Sequence, residues 1–210
     1  MIELFQFVLG PLENNSFILK ADGSREAFIV DPSFDPAPMF EHIRQNHLDI
    51  LGILLTHAHF DHIAGIPYLC SVLPPPIDIF LALADEALYA QAGGARQFGI
   101  HLGELPPTTR YLSHGEHLQL GKDVIEVRAV PGHTPGHMLF YLPSIEAALC
   151  GDLIFKQSIG RTDLPGGDFD TILASIHNQV LTLPPGTTMY PGHGPETTVS
   201  DEMAHNPFLV

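Results

Sequence analysis

Short runs of Val, Ile, Leu and Phe alternate along the chain with segments whose apolar residues recur at helical spacing. The short runs predict strands, and the spaced segments predict helices. The first two predicted strands, 16–19 and 27–30, flank Asp22 and Gly23, a pair typical of a hairpin turn. The apolar run at 50–55 is continuous, which is typical of a strand buried on both faces.

The same reasoning extends to the rest of the chain. Further strands are predicted at 77–81, 124–130, 138–142, 147–149 and 187–190, and helices at 36–47, 63–73, 83–91 and 170–181. In the helix 36–47, Met39, Ile43 and His47 are spaced for one face, whereas 93–110 is rich in Gly, Pro and Thr and predicts a loop. Strands mixed with helices in both halves predict an α/β fold in which helices cover the outer faces of sheets.

Composition narrows the class of protein. The 210 residues show no break in composition, so we expect one domain spanning 1–210, with enough chain to bury a sizeable core. With 24 acidic against 9 basic side chains the formal net charge is −15, which argues against nucleic acids and anionic membranes as partners. Cys70 and Cys150 are expected to be free thiols. Without a recognisable signal or membrane-spanning run, the expected location is the cytoplasm.

Candidate chemistry begins where the strand 50–55 ends. His57, His59, Asp61 and His62 lie within six positions. A spacing of two places His57 and His59 on one side of an extended chain, and the turn into the next helix can bring Asp61 and His62 to a neighbouring point. A solvated loop could hold any one of these residues, but four together after a buried strand predict a metal site. Imidazole and carboxylate suit Zn²⁺, Fe²⁺ or Mn²⁺.

The arrangement recurs at three other strand ends. His133, Asp152 and His193 follow the strands 124–130, 147–149 and 187–190, and each is preceded by glycine. Glycine allows a tight turn, and open α/β sheets place their sites at strand ends. We therefore expect the three side chains to meet at a common rim.

These motifs resemble the metallo-β-lactamase superfamily. They are His-x-His-x-Asp-His at 57–62, Pro-Gly-His-Thr-Pro-Gly-His at 131–137, Gly-Asp at 151–152 and Gly-His-Gly at 192–194. The segments 14–16 and 29–32 also match the family's opening strands, so the resemblance covers nearly the whole chain. Gly-Arg-Thr-Asp at 160–163, with Gly-Gly-Asp at 166–168, resembles the short, glyoxalase II-like branch, although persulfide dioxygenases carry a similar run.

The resemblance implies a four-layer αββα sandwich with two divalent metal ions at one edge, zinc first and iron or manganese as alternatives. The family pattern assigns seven ligands to them. His57, His59 and His133 hold the first metal, Asp61, His62 and His193 hold the second, and Asp152 bridges both. Asp61 is also a candidate for orienting the nucleophile. His137 is expected to support the turn, and Cys150 to be packed in its strand.

What the resemblance implies about activity is hydrolysis of a small-molecule thioester, in the manner of hydroxyacylglutathione hydrolases, by a hydroxide shared between the metals. Arg161 lies about where glyoxalase II proteins place a basic residue for glutathione, but a structural ion pair with Asp163 or Asp168 explains it equally well. The family's C-terminal helical domain is not expected here, since only 17 residues follow His193. A glutathione-derived substrate therefore stays an open alternative.

Other functions remain possible on the same ligands. One is a persulfide dioxygenase with a single iron on a trio such as His57, His133 and Asp152. Another is a lactonase or other ester hydrolase, and a third is a metal-binding protein without catalysis. Metal identity, oxygen uptake with a persulfide, and hydrolysis of thioesters or lactones distinguish these alternatives.

Overall fold

Two six-stranded sheets form the framework in a computed structural model of the chain, which describes residues 1–209. The first sheet contains β1 (Ile2–Leu9), β2 (Asn14–Ala21), β3 (Glu26–Val30), β4 (Asp49–Leu54), β5 (Ile79–Ala82) and β6 (Arg110–Leu112), in that spatial order. The expected hairpin is confirmed, because β2 and β3 pair antiparallel with Phe17 opposite Val30. The strands β3 to β6 are parallel to one another.

The second sheet is built from the later part of the chain. Its strands are β7 (His117–Leu120), β8 (Asp123–Ala129), β9 (Met138–Leu142), β10 (Ala147–Gly151), β13 (Thr188–Pro191) and β14 (Thr197–Thr198). Their spatial order is β14-β13-β10-β9-β8-β7, and β10 and β13 are parallel. A small hairpin of β11 (Ile154–Phe155) and β12 (Ser158–Ile159) follows β10. The predicted strands 124–130, 138–142, 147–149 and 187–190 are confirmed to within two residues at each end.

Residues 1–209 also form six short α-helices: α1 (Ala37–Gln45), α2 (Phe60–Ile63), α3 (Ile66–Val72), α4 (Glu86–Ala90), α5 (Phe169–Ser175) and α6 (Val199–His205). Three 3₁₀ segments span Leu83–Asp85, Ala92–Phe98 and Pro143–Ile145, and a π-helical turn, Ile176–Val180, extends α5. Among residues 1–209, no helix has the length and apolar character needed to cross a membrane.

Three separate apolar clusters show how the layers stack. Strand residues alternate between faces, so Phe17 and Leu19 lie between the two sheets whereas Ile18 faces outward. The outer face of the first sheet packs against α1 and α3, through residues such as Met39 and Leu69. The outer face of the second sheet packs against α5 and the turn that follows it. The expected four-layer αββα sandwich is thus confirmed.

Several local predictions were wrong. The helix predicted at 63–73 begins later, at Ile66, because the chain turns after α2 at Ala64 and Gly65, where Gly65 packs against the carbonyl of Ser33. His47 lies beyond the end of α1, is exposed and has φ 51°, so it does not share the buried face of Met39 and Ile43. Only the second half of β4 is buried, since Leu51 is exposed.

Other elements were not predicted. The segment 93–110 contains most of a 3₁₀ segment and the start of β6, and 83–91 begins with a 3₁₀ turn before α4. The sequence pattern also did not predict the strands β1, β7, β11, β12 and β14 or the helix α6. Alternating apolar residues could have indicated β1, and Thr198 with Asp201 is a helix-start signal for α6, because the Thr198 hydroxyl accepts a hydrogen bond from the Asp201 amide.

Candidate metal centre

The segment between β4 and α2 supplies four candidate ligands. Residues 56–59 leave the sheet as extended chain, and α2 begins at Phe60, with His59 still extended at ψ 147°. The helix turn then brings Asp61 and His62 back toward His57. His57 and His62 are fully buried, and His59 and Asp61 are less than a tenth exposed. These residues are therefore the wall of a deep site and not a solvated loop.

All seven predicted ligands come together at the edge where the strands end. Their ligand atoms form three groups, each within 4.8 Å: His57 with His59 and His133, His57 with His62 and Asp152, and Asp61 with His62 and His193. The Nδ1 atom of His59 and the Nε2 atom of His133 are 2.8 Å apart, and the His193 Nε2 is 3.2 Å from an Asp61 oxygen. The positions at strand ends predicted this convergence, but the distances between the side chains follow only from the fold.

Asp152 lies between the two ends of the cluster. Its Oδ1 is 3.4 Å from the Nε2 of His62, and its Oδ2 is 3.7 Å from the Nε2 of His133 and 3.8 Å from that of His193. One carboxylate thus reaches imidazoles from both outer groups.

Hydrogen bonds on the outer side of the cluster fix the tautomers of four histidines. The Nδ1–H groups of His133 and His193 donate to the carbonyls of Arg161 and Leu12, at 2.8 and 2.9 Å. The Nδ1–H of His62 donates to Asp31 at 3.0 Å. The Nδ1 of His57 lies 3.1 Å from the Thr56 hydroxyl, which itself donates to Asp31 and therefore accepts from the ring. The Nε2 of each neutral ring consequently carries a lone pair directed inward. Those of His133 and His193 lie 2.8 Å from the His59 Nδ1 and 3.2 Å from the Asn14 Nδ2, respectively.

The inward atoms fit a metal. The Nε2 atoms of His57 and His62 and the Oδ1 of Asp152 are buried without a hydrogen-bond partner. Unpaired buried acceptors cost free energy, and a divalent cation satisfies several of them at once. Mixed imidazole and carboxylate donors suit Zn²⁺, Fe²⁺ or Mn²⁺.

The protonation states follow from burial and charge. Burial lowers the pKa of His57 well below its ordinary value and that of His59 to about 4. Burial alone would raise the pKa of Asp61, but His62 and His193 outweigh it and lower the pKa to about 2. Burial also opposes the charge on His62, yet Asp61 and Asp152 raise its pKa well above the ordinary value. The carboxylates of Asp61 and Asp152 thus favour a positive charge in the centre, either a proton or a metal ion.

Asp31 supports the candidate ligands, a role that the sequence pattern did not predict. It is buried, and its carboxylate accepts hydrogen bonds from the Thr56 amide and hydroxyl as well as from the His62 ring. One side chain at the end of β3 therefore orients two neighbouring parts of the ligand segment. Asp31 directly follows a strand, as the candidate ligands do. This position is the signal in the sequence that could have indicated its role.

Asp85 and Asn14 were also missed. Asp85 is fully buried and accepts hydrogen bonds from the Ala58 amide, the Thr134 hydroxyl and the Gly136 amide. It therefore joins the segment that carries His57 to the one that carries His133. Asn14 donates from Nδ2 to Asp61 at 2.9 Å. Nothing in the local sequence of either residue indicates these partners.

Glycine is required at one point of the centre. A Cβ atom at Gly192 would lie 2.3 Å from the Oδ1 of Asp152 and 2.7 Å from a ring carbon of His62. Even a methyl group at this position would push the ligands aside. This is the physical reason for glycine before His193.

The structure also shows the surroundings of three other residues discussed from the sequence, His137, Cys150 and Arg161. His137 is fully buried, its Nε2 accepts from the Asp152 amide at 3.1 Å and its ring stacks on His57, which confirms a supporting role. Cys150 is packed in its strand as expected. The exposed side chain of Arg161 forms a two-point ion pair with Asp163, at 2.7 and 2.8 Å, so the structural alternative is observed.

A cavity of about 600 Å³ opens directly onto the centre. The candidate ligands His59, Asp61, His133, Asp152 and His193 line one side of it, and Arg161 lies at its wall. A small molecule in this cavity would contact the metal-binding atoms.

Comparison with known proteins agrees with this geometry. A family model described as the metallo-beta-lactamase superfamily matches residues 9–193. The probable metallo-hydrolase YqgX of Bacillus subtilis (strain 168) is 37% identical, over 96% of this chain and 94% of its own length. Hydroxyacylglutathione hydrolase GloC of Haemophilus influenzae is 34% identical, over 90% and 89%. Mitochondrial persulfide dioxygenase ETHE1 of Mus musculus is 32% identical, over 93% and 71%.

Solved structures give the same picture. The structure described as BLEG-1 B3 metallo-beta-lactamase superimposes with a TM-score of 0.90 at 38% identity, covering 99% of both chains. TTHA1623 in a di-iron-bound form gives a TM-score of 0.88 at 37% identity, covering 98% of this chain and 100% of the other. Proteins of this fold therefore include one that holds two iron ions.

Proposed function

The chain belongs to the metallo-β-lactamase superfamily, and from that premise we propose that it is a two-metal hydrolase whose substrate is a thioester. The observation that carries the proposal is the position of Asp152, whose two oxygens reach imidazoles at both ends of the ligand cluster. A carboxylate so placed can bridge two cations. The inward lone pairs of four histidines support the same arrangement.

His57, His59 and His133 would hold one ion, Asp61, His62 and His193 the other, with Asp152 shared between them. Bound divalent ions would supply a Lewis acid for a carbonyl oxygen and lower the pKa of a coordinated water toward about 7. Zinc suits the donors, and the di-iron neighbour supports iron as well. Asp61, held by Asn14, is placed to orient the attacking water by accepting a hydrogen bond from it.

A thioester fits the side chains around the cavity. Among the described residues, those that line it include no Tyr, Lys or Cys, and its histidines and aspartates are candidate metal ligands except Asp85, which accepts three hydrogen bonds from the protein. A thiol has a pKa of about 8.5, so a thiolate departs without prior protonation, unlike an amine or an alcohol. The relative GloC, named as a hydroxyacylglutathione hydrolase, supports the same substrate class.

The test combines metal analysis with a panel of substrates. Protein purified without chelators should contain about two equivalents of transition metal per chain. It should hydrolyse thioesters faster than a lactone or a β-lactam. Full metal loading without thioester hydrolysis would refute the proposed activity.

A single-iron persulfide dioxygenase is the second candidate, because the 32% identical relative in Mus musculus carries that name. It would use a trio such as His57, His133 and Asp152. One equivalent of iron, together with oxygen uptake on glutathione persulfide, would favour it over the hydrolase.

Arg161 tests whether the thiol part of the substrate is glutathione. Arginine binds carboxylates through a fixed fork of donors, and glutathione has two carboxylates. If Arg161 binds one of them, Arg161→Ala should raise KM for a glutathione thioester by about tenfold, the scale of one hydrogen bond to a charged group, and leave an uncharged thioester unaffected.

The ion pair offers a matched variant for this prediction. Asp163→Asn leaves Arg161 in place but removes the negative charge and one of the two acceptor oxygens of its present partner. It should lower KM for the glutathione thioester if Arg161 binds substrate. Equal effects of both variants on charged and uncharged thioesters would make Arg161 structural.

A further inference from the structure

The cavity beside the metal centre has mostly apolar walls. Phe98 and Leu88 lie on it, as do Leu164, Pro165 and Leu12. Phe98 is 53% exposed and Leu12 46%, so both large apolar side chains present surface to solvent beside a buried polar centre. Apolar surface at such a place gains free energy when a ligand excludes water from it.

Phe98 connects this apolar surface to the ligands. Its ring packs against that of Phe60, with centroids 5.1 Å apart and planes inclined by 38°. Phe60 stands in the chain between His59 and Asp61. A group resting on the two rings is therefore held beside the reacting atoms.

The segment that carries Phe98 is fixed against the ligand segment. A Cβ atom at Gly93 would lie 2.2 Å from the amide nitrogen of Phe60, so only glycine permits the approach. Ala92 has φ 53°, a strained conformation for a residue with a side chain. The close approach at Gly93 and the ring contact between Phe98 and Phe60 seat this segment on the ligand segment, so the apolar face needs less reordering when a ligand binds.

The polar groups of the cavity suit an uncharged ligand. Outside the candidate metal ligands, Gln91 and Gln97 contribute amides, and the carboxylate of Asp85 already accepts three hydrogen bonds from the protein. In the part of the chain that the structure describes, Arg161 is the one Lys or Arg side chain on this cavity, and Asp163 already neutralises it.

We propose that the face formed by Phe60 and Phe98 binds an apolar group of the substrate. The enzyme then selects thioesters with an alkyl or aromatic group of several carbon atoms over those with only small polar groups. This inference rests on the proposed thioester hydrolysis. The apolar group can belong to the acyl part or to the thiol part, and the experiment separates the two.

The test uses two series of thioesters with the metal-loaded protein. In the first, the thiol is N-acetylcysteamine and the acyl group is acetyl, lactoyl or hexanoyl. In the second, the acyl group is acetyl and the thiol is N-acetylcysteamine or hexanethiol. We expect the six-carbon group to raise kcat/KM by about tenfold or more in one series, the scale of burying half of a large apolar side chain. A preference for the small polar group in both series, or none in either, overturns the inference.

Variants at Phe98 test whether this residue causes the preference for the six-carbon group. Phe98→Ala should remove most of the preference, and Phe98→Leu should keep it because leucine is still apolar. Tyr111→Ala is the matched control, since Tyr111 is 48% exposed but does not line the cavity. A preference that survives Phe98→Ala, or is lost equally in Tyr111→Ala, contradicts the assignment to Phe98.

Binding measurements distinguish a failure of the apolar site from a failure of the proposed thioester hydrolysis. Non-hydrolysable thioethers with hexyl or methyl groups can be titrated calorimetrically into wild type and Phe98→Ala. Tighter binding of the hexyl compound to wild type alone supports the apolar site even if no thioester is hydrolysed. Thioester hydrolysis with equal binding of both thioethers leaves the proposed function intact and refutes the apolar site.

Discussion

At the scale of single residues, the candidate centre depends on hydrogen bonds that face away from it. Asp31 holds His62 and, through the Thr56 hydroxyl, His57. Backbone carbonyls hold His133 and His193. Because these bonds fix the tautomers, the ligands need little rearrangement to bind a cation.

Asp152→Asn is the sharpest test at this scale. Asparagine keeps the size of the side chain but removes the charge that can be shared by two cations. We expect metal content to fall from about two equivalents to one or fewer, with loss of hydrolysis. The melting temperature of the metal-free protein should change little, since the residue lies at the rim and not in an apolar cluster.

The control is Asp170→Asn, an exposed aspartate on α5 outside the ligand set. It should keep both equivalents of metal. An Asp152→Asn variant with full metal and activity would show that the bridging assignment is wrong.

At the scale of elements, strand ends bring the site together, but side chains from other elements hold it. Parallel strands of each sheet end at one edge, which places the segments after β4 and β10 near each other. Asp85, between β5 and α4, then joins the segments that carry His57 and His133. Burial raises the pKa of Asp85, and its three hydrogen bonds oppose that rise.

Asp85→Ala should therefore loosen both segments. It leaves the buried amides of Ala58 and Gly136 without an acceptor, at a cost on the order of 1–3 kcal/mol in the free energy of unfolding. Urea unfolding of the metal-free protein measures this directly, apart from any loss of metal. Asp85→Asn should fall between wild type and Asp85→Ala, because its one oxygen replaces only part of the acceptor set.

Glu41→Ala serves as the control, since Glu41 is an exposed residue of α1. Its unfolding free energy should stay within about 0.5 kcal/mol of wild type. If Asp85→Ala were as stable as this control, Asp85 would not hold the two segments together.

At the scale of the whole molecule, metal and protons compete for one cluster. His57 and His59 have lowered pKa values, whereas the pKa values of His62 and His193 are raised. A raised pKa means that a proton binds at a higher pH. The group of Asp61, His62 and His193 should therefore lose its ion first as the pH falls.

Metal content after buffer exchange at successive pH values from 8 to 4 tests this order. We expect a first equivalent to be lost at the higher pH, and a second only as the pH approaches the lowered pKa of His59, about 4. Adding metal at neutral pH should restore activity. Simultaneous loss of both ions would contradict the order, and activity lost in acid at constant metal content would point to a different titrating group.

The sequence by itself determined the elements with strong local signals and the residue types of the site. Alternating or continuous apolar runs located the hairpin and the strands that precede the ligands, and the histidines and aspartates after those strands are the ones that converge. Their spacing in the chain is local information. It was therefore enough to identify His57 to His62 as one ligand segment.

Only the tertiary structure decided which side chains support that cluster and what surrounds it. Asp31, Asp85 and Asn14 act on partners at least 25 positions away in the sequence, and no local pattern encodes such pairs. Phe98 in a segment predicted as loop becomes a cavity wall only because Gly93 packs on Phe60. The candidate ligand segment 57–62 follows from residues adjacent in the chain. Its convergence with His133, Asp152 and His193, its support and the shape of the cavity follow from contacts that exist only when the two sheets have packed.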